Sequence, residues 1–331
     1  MSDSNDNLKD QLVASEEEQP RKKLVRETNL RWLMLTFGCL FLMGSYYCYD
    51  NPSPLKQTLT DPNGDFQFSE AQFNSLNSIY SLPNTVLPLF GGILLDKIGI
   101  RIGLVAFTCV LTLGQLIFAI GGYKYSYKIM LAGRFVFGLG GECMTVAQSA
   151  IVTAWFKGAE LAFAFGINLS VARVGSFING PVTESIASNS SVGNALLLGF
   201  FICVFSLLTA IALVVIDRWA EKKDDVKVVL SEDDKFKMSD LKNFNSLPFW
   251  LVTASCVVIY MVVFIYISNA SSMLYDRFGF TSSQAALVYA TPYIISAVAS
   301  PLLGLTIDKV GKRPMFSKYN FPFFLKLLSN R

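Results

Sequence analysis

Long stretches of this chain carry almost no charge, and that feature bounds what it can fold into. Lys, Arg, Asp and Glu make up 16% of the 331 residues, against roughly a quarter in a soluble domain. They crowd into residues 1–31, 217–242 and 308–318. Several of the intervals between them exceed the ~18 apolar residues that read as a bilayer span. The expected fold class is therefore an all-α polytopic membrane protein. A net charge of +3 is too small to argue for nucleic acid. The chain has no histidine, so His-based triads, His metal sites and His proton relays are excluded, and no cofactor is expected. Six cysteines sit singly in or beside apolar runs with no Cys-x-x-Cys pair, which reads as small apolar packing residues.

The first apolar run starts at Trp32, after a leader of mostly solvated chain, so residues 1–30 read as a cytosolic tail and not as a cleaved signal peptide. Further spans read as roughly 75–95, 102–122, 127–154, 159–180, 194–216, 248–275 and 284–306, eight in all. An inside N-terminus puts 20 of the 28 Lys and Arg residues on one side and four on the other. Cytosolic segments carry that excess, so the basic side is cytosolic. The sequon Asn189-Ser190-Ser191 falls on the opposite side, where a glycan could be added. Two more sequons, at Asn168 and Asn269, fall inside spans. Tyr46, Tyr47 and Tyr49 at the outer end of span one, and Trp155 at the inner end of span four, read as interface belt. Asp50 reads as a residue of the outer rim.

Two cytosolic turns match each other 212 residues apart: Gly92-Ile93-Leu94-Leu95-Asp96-Lys97-Ile98-Gly99-Ile100-Arg101 and Gly304-Leu305-Thr306-Ile307-Asp308-Lys309-Val310-Gly311-Lys312-Arg313. Gly, Asp, Lys, Gly and Arg keep their offsets, and Pro88 and Pro301 precede the turns at similar depth. The interval holds six spans, so the unit is a six-helix bundle repeated in parallel, which resembles the plan of the major facilitator superfamily. Small residues at such turns let helices approach. Asp96 with Arg101 reads as a gate that breaks and reforms when the bundles rock, while Lys97 alone reads as a positive-inside anchor.

Three charges sit well inside the spans: Arg134, Glu142 and Arg173. A charge at the bilayer centre costs about 2.5–3.5 kcal/mol on insertion scales, so each needs a partner or a wet cavity. At 1.5 Å per residue, Glu142 lies roughly 18 Å from the inner end of span four, and Arg173 roughly 21 Å up span five. Adjacent antiparallel helices thus present a carboxylate and a guanidinium at one height. That pair suits a solute carrying an amine and a carboxylate, such as an amino acid or peptide. The alternative is that the two pair with each other and hold the helices together. Arg134 lies about 12 Å nearer the outer face than Glu142, and its motif reads as structural.

Tyr49-Asp50-Asn51-Pro52, Pro83-Asn84, Arg134-Phe135-Val136-Phe137-Gly138 with Gly140-Gly141-Glu142, Val146-Ala147-Gln148, Trp155-Phe156-Lys157-Gly158, Leu169-Ser170 with Ala172-Arg173, and Phe278-Gly279-Phe280 resemble the lysosomal dipeptide transporter branch of that superfamily, over about residues 30–316. The resemblance implies a uniporter of the lysosomal membrane that exports dipeptides, cationic ones preferred, to the cytosol. In it the residue matching Glu142 faces the peptide amino end and that matching Arg173 the carboxylate. It also implies a glycosylated lysosomal membrane protein as accessory subunit. Leu12-Val13 beside Asp10 and Glu16-Glu17-Glu18 match the branch's dileucine sorting signal poorly.

The organisation expected is a tail at 1–30, a six-helix N-terminal bundle at 31–217, a cytosolic linker at 218–247, the first two helices of a C-terminal bundle at 248–316, and an aberrant tail at 317–331. Members of the branch continue through four more helices, so the sequence reads as a truncated and inactive product. Small residues on span eight, Ala297, Ala299, Ser300 and Gly304, are expected to lose partners. Two other readings stay open: a membrane protein that binds or assists without transporting, and a transporter of another small organic solute.

Overall fold

The structure, a computed structural model, describes residues 24–85, 87–156, 160–224 and 247–310. A turn of 3-10 helix at Val25–Glu27 leads into α1 (Leu30–Tyr49), α2 (Lys56–Thr60), α3 (Glu70–Asn84), α4 (Leu87–Ile98), α5 (Ile100–Tyr123), α6 (Tyr127–Trp155), α7 (Leu161–Asn189), α8 (Val192–Asp224), α9 (Leu247–Phe278) and α10 (Ser282–Val310). Among the described residues, seven helices are long and apolar enough to cross a membrane. With no water in hydrocarbon, the helix is how a single segment satisfies all its backbone groups.

The second expected span is two helices in succession, α3 and α4. A proline at position 88 accounts for the break, because it has no N–H to donate to the carbonyl four residues back, at Asn84. α3 therefore ends at Asn84, while Pro88 is tolerated in the first turn of α4. Ser69 starts α3 with a capping box, its side chain accepting from the Gln72 N–H while Gln72 accepts from the Ser69 N–H. Gly99, at φ +87°, makes the left-handed turn between α4 and α5 that a side chain would resist.

Helix pairs pack through small residues, as they must where lipid competes equally for apolar surface. α5 lies on α6 and α8, α1 on α7 and α8, and α3 and α4 run along α6. At the α5–α6 crossing, a Cβ on Gly114 would stand 2.3 Å from the Phe137 nitrogen, and one on Gly133 2.4 Å from that of Phe118. In the repeated turn the small-residue expectation divides. A Cβ on Gly92 would meet nothing within 4 Å, whereas one on Gly304 would stand 2.9 Å from the Ala162 carbonyl oxygen.

Span eight does not lose its partners. α10 packs along α7: the Ser170 hydroxyl donates to the Ala297 carbonyl, and the Ser300 carbonyl lies against Gly166. Ala299 is half-buried. The expectation erred by assigning these small residues to helices of their own bundle, when their seam faces span five.

Candidate functional site

The ends of the helices sort by charge. Arg26, Arg31, Arg101, Trp155, Glu160 and Asp217 gather at one end, here the basic end. Lys56, Glu184, Asn269 and Ser282 gather at the other. Between them lies a cavity of about 890 Å³ walled by α1, α3, α6, α7, α9 and α10, within the range of small-molecule sites.

Glu142 and Arg173 both line this cavity. Glu142 projects from α6 and its carboxylate accepts a long bond, 3.5 Å, from the Tyr80 hydroxyl. Arg173 projects from α7, its guanidinium close to the rings of Tyr46 at 5.5 Å and Tyr293 at 5.6 Å. Its Nε has no hydrogen-bond partner. Neither charge forms an ion pair within 4.0 Å among the described residues. An extended chain rises at most ~3.6 Å per residue, so a gap wider than one ion pair is what the two termini of a dipeptide need.

Asp50 is not at the rim. It is 3% exposed, lines the same cavity, and accepts from the Tyr293 hydroxyl at 3.1 Å. The whole stretch Asp50–Lys56 is buried, because the chain after α1 folds inward with Pro52 and Pro54 keeping it out of helix. The aromatic residues expected at the interface also move inward: Tyr46 and Tyr49 line the cavity, and Tyr47 is 1% exposed. Trp155 is buried, with its Nε1 donating to Asp217.

Arg134 stands apart from the cavity lining and is wholly buried. Its three nitrogens donate to the carbonyls of Leu76, Cys48 and Tyr49 at 3.2–3.3 Å. Tyr49, Tyr80, Phe118 and Phe137 surround it at 5.2–5.9 Å. Cys48 and Tyr49 are the last two residues of α1, where carbonyls run out of i+4 donors and carry the negative end of the helix dipole; that of Cys48 also accepts from the Asn51 N–H at 3.4 Å. The guanidinium therefore caps α1 from inside the bundle.

In the repeated turn, Arg101 bonds Asp217 through Nε at 2.6 Å and also pairs with Glu221. Arg26 reaches the same carboxylate at 3.1 Å. Sequence reasoning placed Asp217 at the edge of a solvated linker, but α8 continues through Asp224 and buries it. Lys97 is exposed. The side chains of Asp96, Asp308 and Lys309, and the whole of Gly311 and Arg313, lie outside the described residues. Asn189 is exposed at the end of α7. Asn168 is buried on Gln148, and Asn269 accepts from Lys56. Four cysteines are buried, as packing residues would be, whereas Cys109 and Cys256 are exposed.

The chain is 40% identical over 297 residues to the lysosomal dipeptide transporter MFSD1 of Homo sapiens, covering 85% of this chain and 62% of that protein. It is 39% identical to the protein of the same name from Danio rerio, covering 86% and 63%. It thus spans a little over three-fifths of the length of these relatives. Its fold matches the crystal structure of a bacterial homologue of the human lysosomal transporter Spinster, inward-facing and unoccupied. That match has a TM-score of 0.63 and 17% identity, and it covers 82% of this chain and 61% of the other. The Major Facilitator Superfamily model matches residues 33–318, and on that match the chain, with seven candidate spans among its described residues, belongs to the major facilitator superfamily.

Proposed function

We propose that this chain carries the solute site of a dipeptide transporter of the lysosomal membrane, with its N-terminus and basic end cytosolic. The observation that carries the proposal is the unpaired state of Glu142 and Arg173, which both line one cavity. A carboxylate and a guanidinium that shared a bond would need no solute. Held apart in a wet site, each gains a charge-assisted partner when a zwitterion enters. Glu142 takes the amino end and Arg173 the carboxylate. Burial of Arg134 among backbone carbonyls supports a structural role for that residue.

Cationic dipeptides are the preferred class. The lining holds two carboxylates, Asp50 and Glu142, against one guanidinium, Arg173, so its formal charge favours a solute of net positive charge. Protein breakdown inside the organelle keeps dipeptides concentrated there, so export to the cytosol runs downhill and uniport suffices. The basic excess supports the orientation, and the relatives' printed names support the membrane. A glycosylated lysosomal membrane protein is the accessory subunit that the resemblance implies.

Binding of lysyl-alanine to the purified chain, compared with its N-acetyl and C-amide forms, tests the assignment. Each cap is expected to weaken binding about tenfold or more, the worth of one charge-assisted contact. Glu142→Gln should abolish discrimination against the acetyl form alone, and Arg173→Ala discrimination against the amide alone. If the parent binds capped and free peptides alike, the assignment is wrong.

A further inference from the structure

We infer that Tyr293 is a positioning residue that ties the orientation of Arg173 to closure of the lumenal side of the cavity. The inference rests on the reading of Arg173 as the solute's anion subsite and adds a residue to it. Tyr293 lies on α10, in the second half of the chain, and is 5% exposed. Its two ends do different things. The ring lies 5.6 Å from the Arg173 guanidinium, which also has the Tyr46 ring at 5.5 Å. The hydroxyl donates to Asp50 at 3.1 Å and lies 3.3 Å from that of Tyr289.

A guanidinium flanked by two rings loses rotational freedom, and the Arg173 Nε has no hydrogen-bond partner. One of the two rings belongs to each half of the chain, so the subsite is complete only while α10 sits against the first six spans. The hydroxyl fixes that position. Asp50 follows directly on α1, and the bond from Tyr293 crosses between the halves on the lumenal side. Farther out, Lys56 donates to Asn269, Ser282 to Gln57 and Ser283 to Glu184. Tyr293 is the innermost member of this seal and the one that also touches the subsite. Opening the lumenal side must withdraw its ring from Arg173, and the grip on a carboxylate loosens as the exit forms.

Splitting ring from hydroxyl tests this. Tyr293→Phe keeps the ring and removes the bond to Asp50, whereas Tyr293→Leu removes both. The first readout needs no ligand. In the full chain with Cys109 and Cys256 replaced by Ser, a cysteine introduced at Ser45 on the cavity wall is labelled by a membrane-impermeant maleimide added from the lumenal side. Tyr293→Phe and Tyr293→Leu should each speed labelling about fivefold or more as the open population rises. The second readout is preference for lysyl-alanine over its amide. Tyr293→Phe should keep that preference within about threefold and Tyr293→Leu should lose about tenfold, because only the ring orients Arg173. Unchanged labelling in Tyr293→Phe overturns the inference, and so does equal loss of preference in both variants. If no variant and no parent binds peptide, the dipeptide reading has failed instead, and labelling alone decides the role of Tyr293. Should Tyr293→Leu fail to fold, the Phe variant decides it on the same readout.

Discussion

Replacing Arg134 by Met sets two large effects against each other, and the geometry says which wins. The guanidinium is wholly buried and has no carboxylate within ion-pair distance among the described residues. Removing a buried charge can stabilise a fold, because the cost of dehydrating it disappears. Against that stand three bonds to backbone carbonyls. Leu76 lies inside α3, so its carbonyl keeps a helical partner when the arginine is gone. That of Cys48 keeps the Asn51 N–H at 3.4 Å, whereas that of Tyr49 ends α1 and would be left buried, an orphan costing about 1–3 kcal/mol. Loss of the ring contacts adds about 0.5–2 kcal/mol. Met fills most of the volume, so no large cavity term enters. Allowing for the dehydration recovered, the expected loss is about 1–3 kcal/mol, or roughly 5- to 150-fold in the folded-to-unfolded ratio. Arg134→Lys keeps the charge but not the three-way fork, and should lose about 1–2 kcal/mol. Equilibrium unfolding of the purified chain in mixed micelles, followed by tryptophan fluorescence, measures both. A Met variant as stable as the parent or more so would mean that dehydration dominates and that the capping account of Arg134 is wrong.

Three further outcomes follow from particular contacts. Asp217→Ala removes the acceptor shared by Arg26, Arg101 and Trp155, so stability should fall by about 2–3 kcal/mol and limited proteolysis near Arg26 should quicken; an unchanged digestion pattern would show that the N-terminal segment is held by something else. Gly304→Val places a side chain where a Cβ would already stand 2.9 Å from the Ala162 carbonyl oxygen. It should reduce crosslinking between cysteines introduced at Ala162 and Leu303, whereas Gly92→Val, in open space, should be tolerated. Asn189→Gln should remove an endoglycosidase-sensitive mass shift in cells, and persistence of that shift in the variant would place the glycan elsewhere.

What could be read from residue order alone was depth; what could not was rotation. Counting 1.5 Å per residue along antiparallel neighbours sets Glu142 and Arg173 at one height, and the two side chains share a cavity wall. Asp50 was legible as a carboxylate at the end of a span. Its inward course depends on how the segment after α1 packs, for which no periodic signal exists. Tyr293 was invisible for a different reason. α10 is apolar on nearly every side, and lipid and protein accept apolar side chains equally, so nothing in the pattern says which face meets α7. Asp217 was misplaced because its neighbour Arg218 begins a charged run that reads as solvated linker, while the helix carries on for two more turns and turns that one carboxylate toward Arg101.

Arg134 and Arg173 show why depth alone does not make a membrane charge a binding site. Both are arginines in the spans, both lie among aromatic rings, and both would be expensive without compensation. They differ in whether the protein has already met their hydrogen-bonding needs. Arg134 gives all three nitrogens to carbonyls and is not in the lining of that cavity, so a solute could gain its charge only by breaking the cap of α1. Arg173 has two rings beside it, which hold it without consuming an in-plane donor; its buried Nε has no acceptor, and the residue lines a cavity that admits water. Rings satisfy the faces of a guanidinium and leave its edge to be satisfied by something else. In a cavity shared with Glu142, which is also unpaired, that something is, on the function proposed above, an incoming carboxylate. The same comparison predicts that exchanging the pair, as Glu142→Arg with Arg173→Glu, will not restore dipeptide binding: the Tyr46–Tyr293 clamp would then hold a carboxylate, which ring faces repel. If the two residues served only to bridge α6 and α7, the exchange would cost nothing, and a swapped chain that binds lysyl-alanine like the parent would show it.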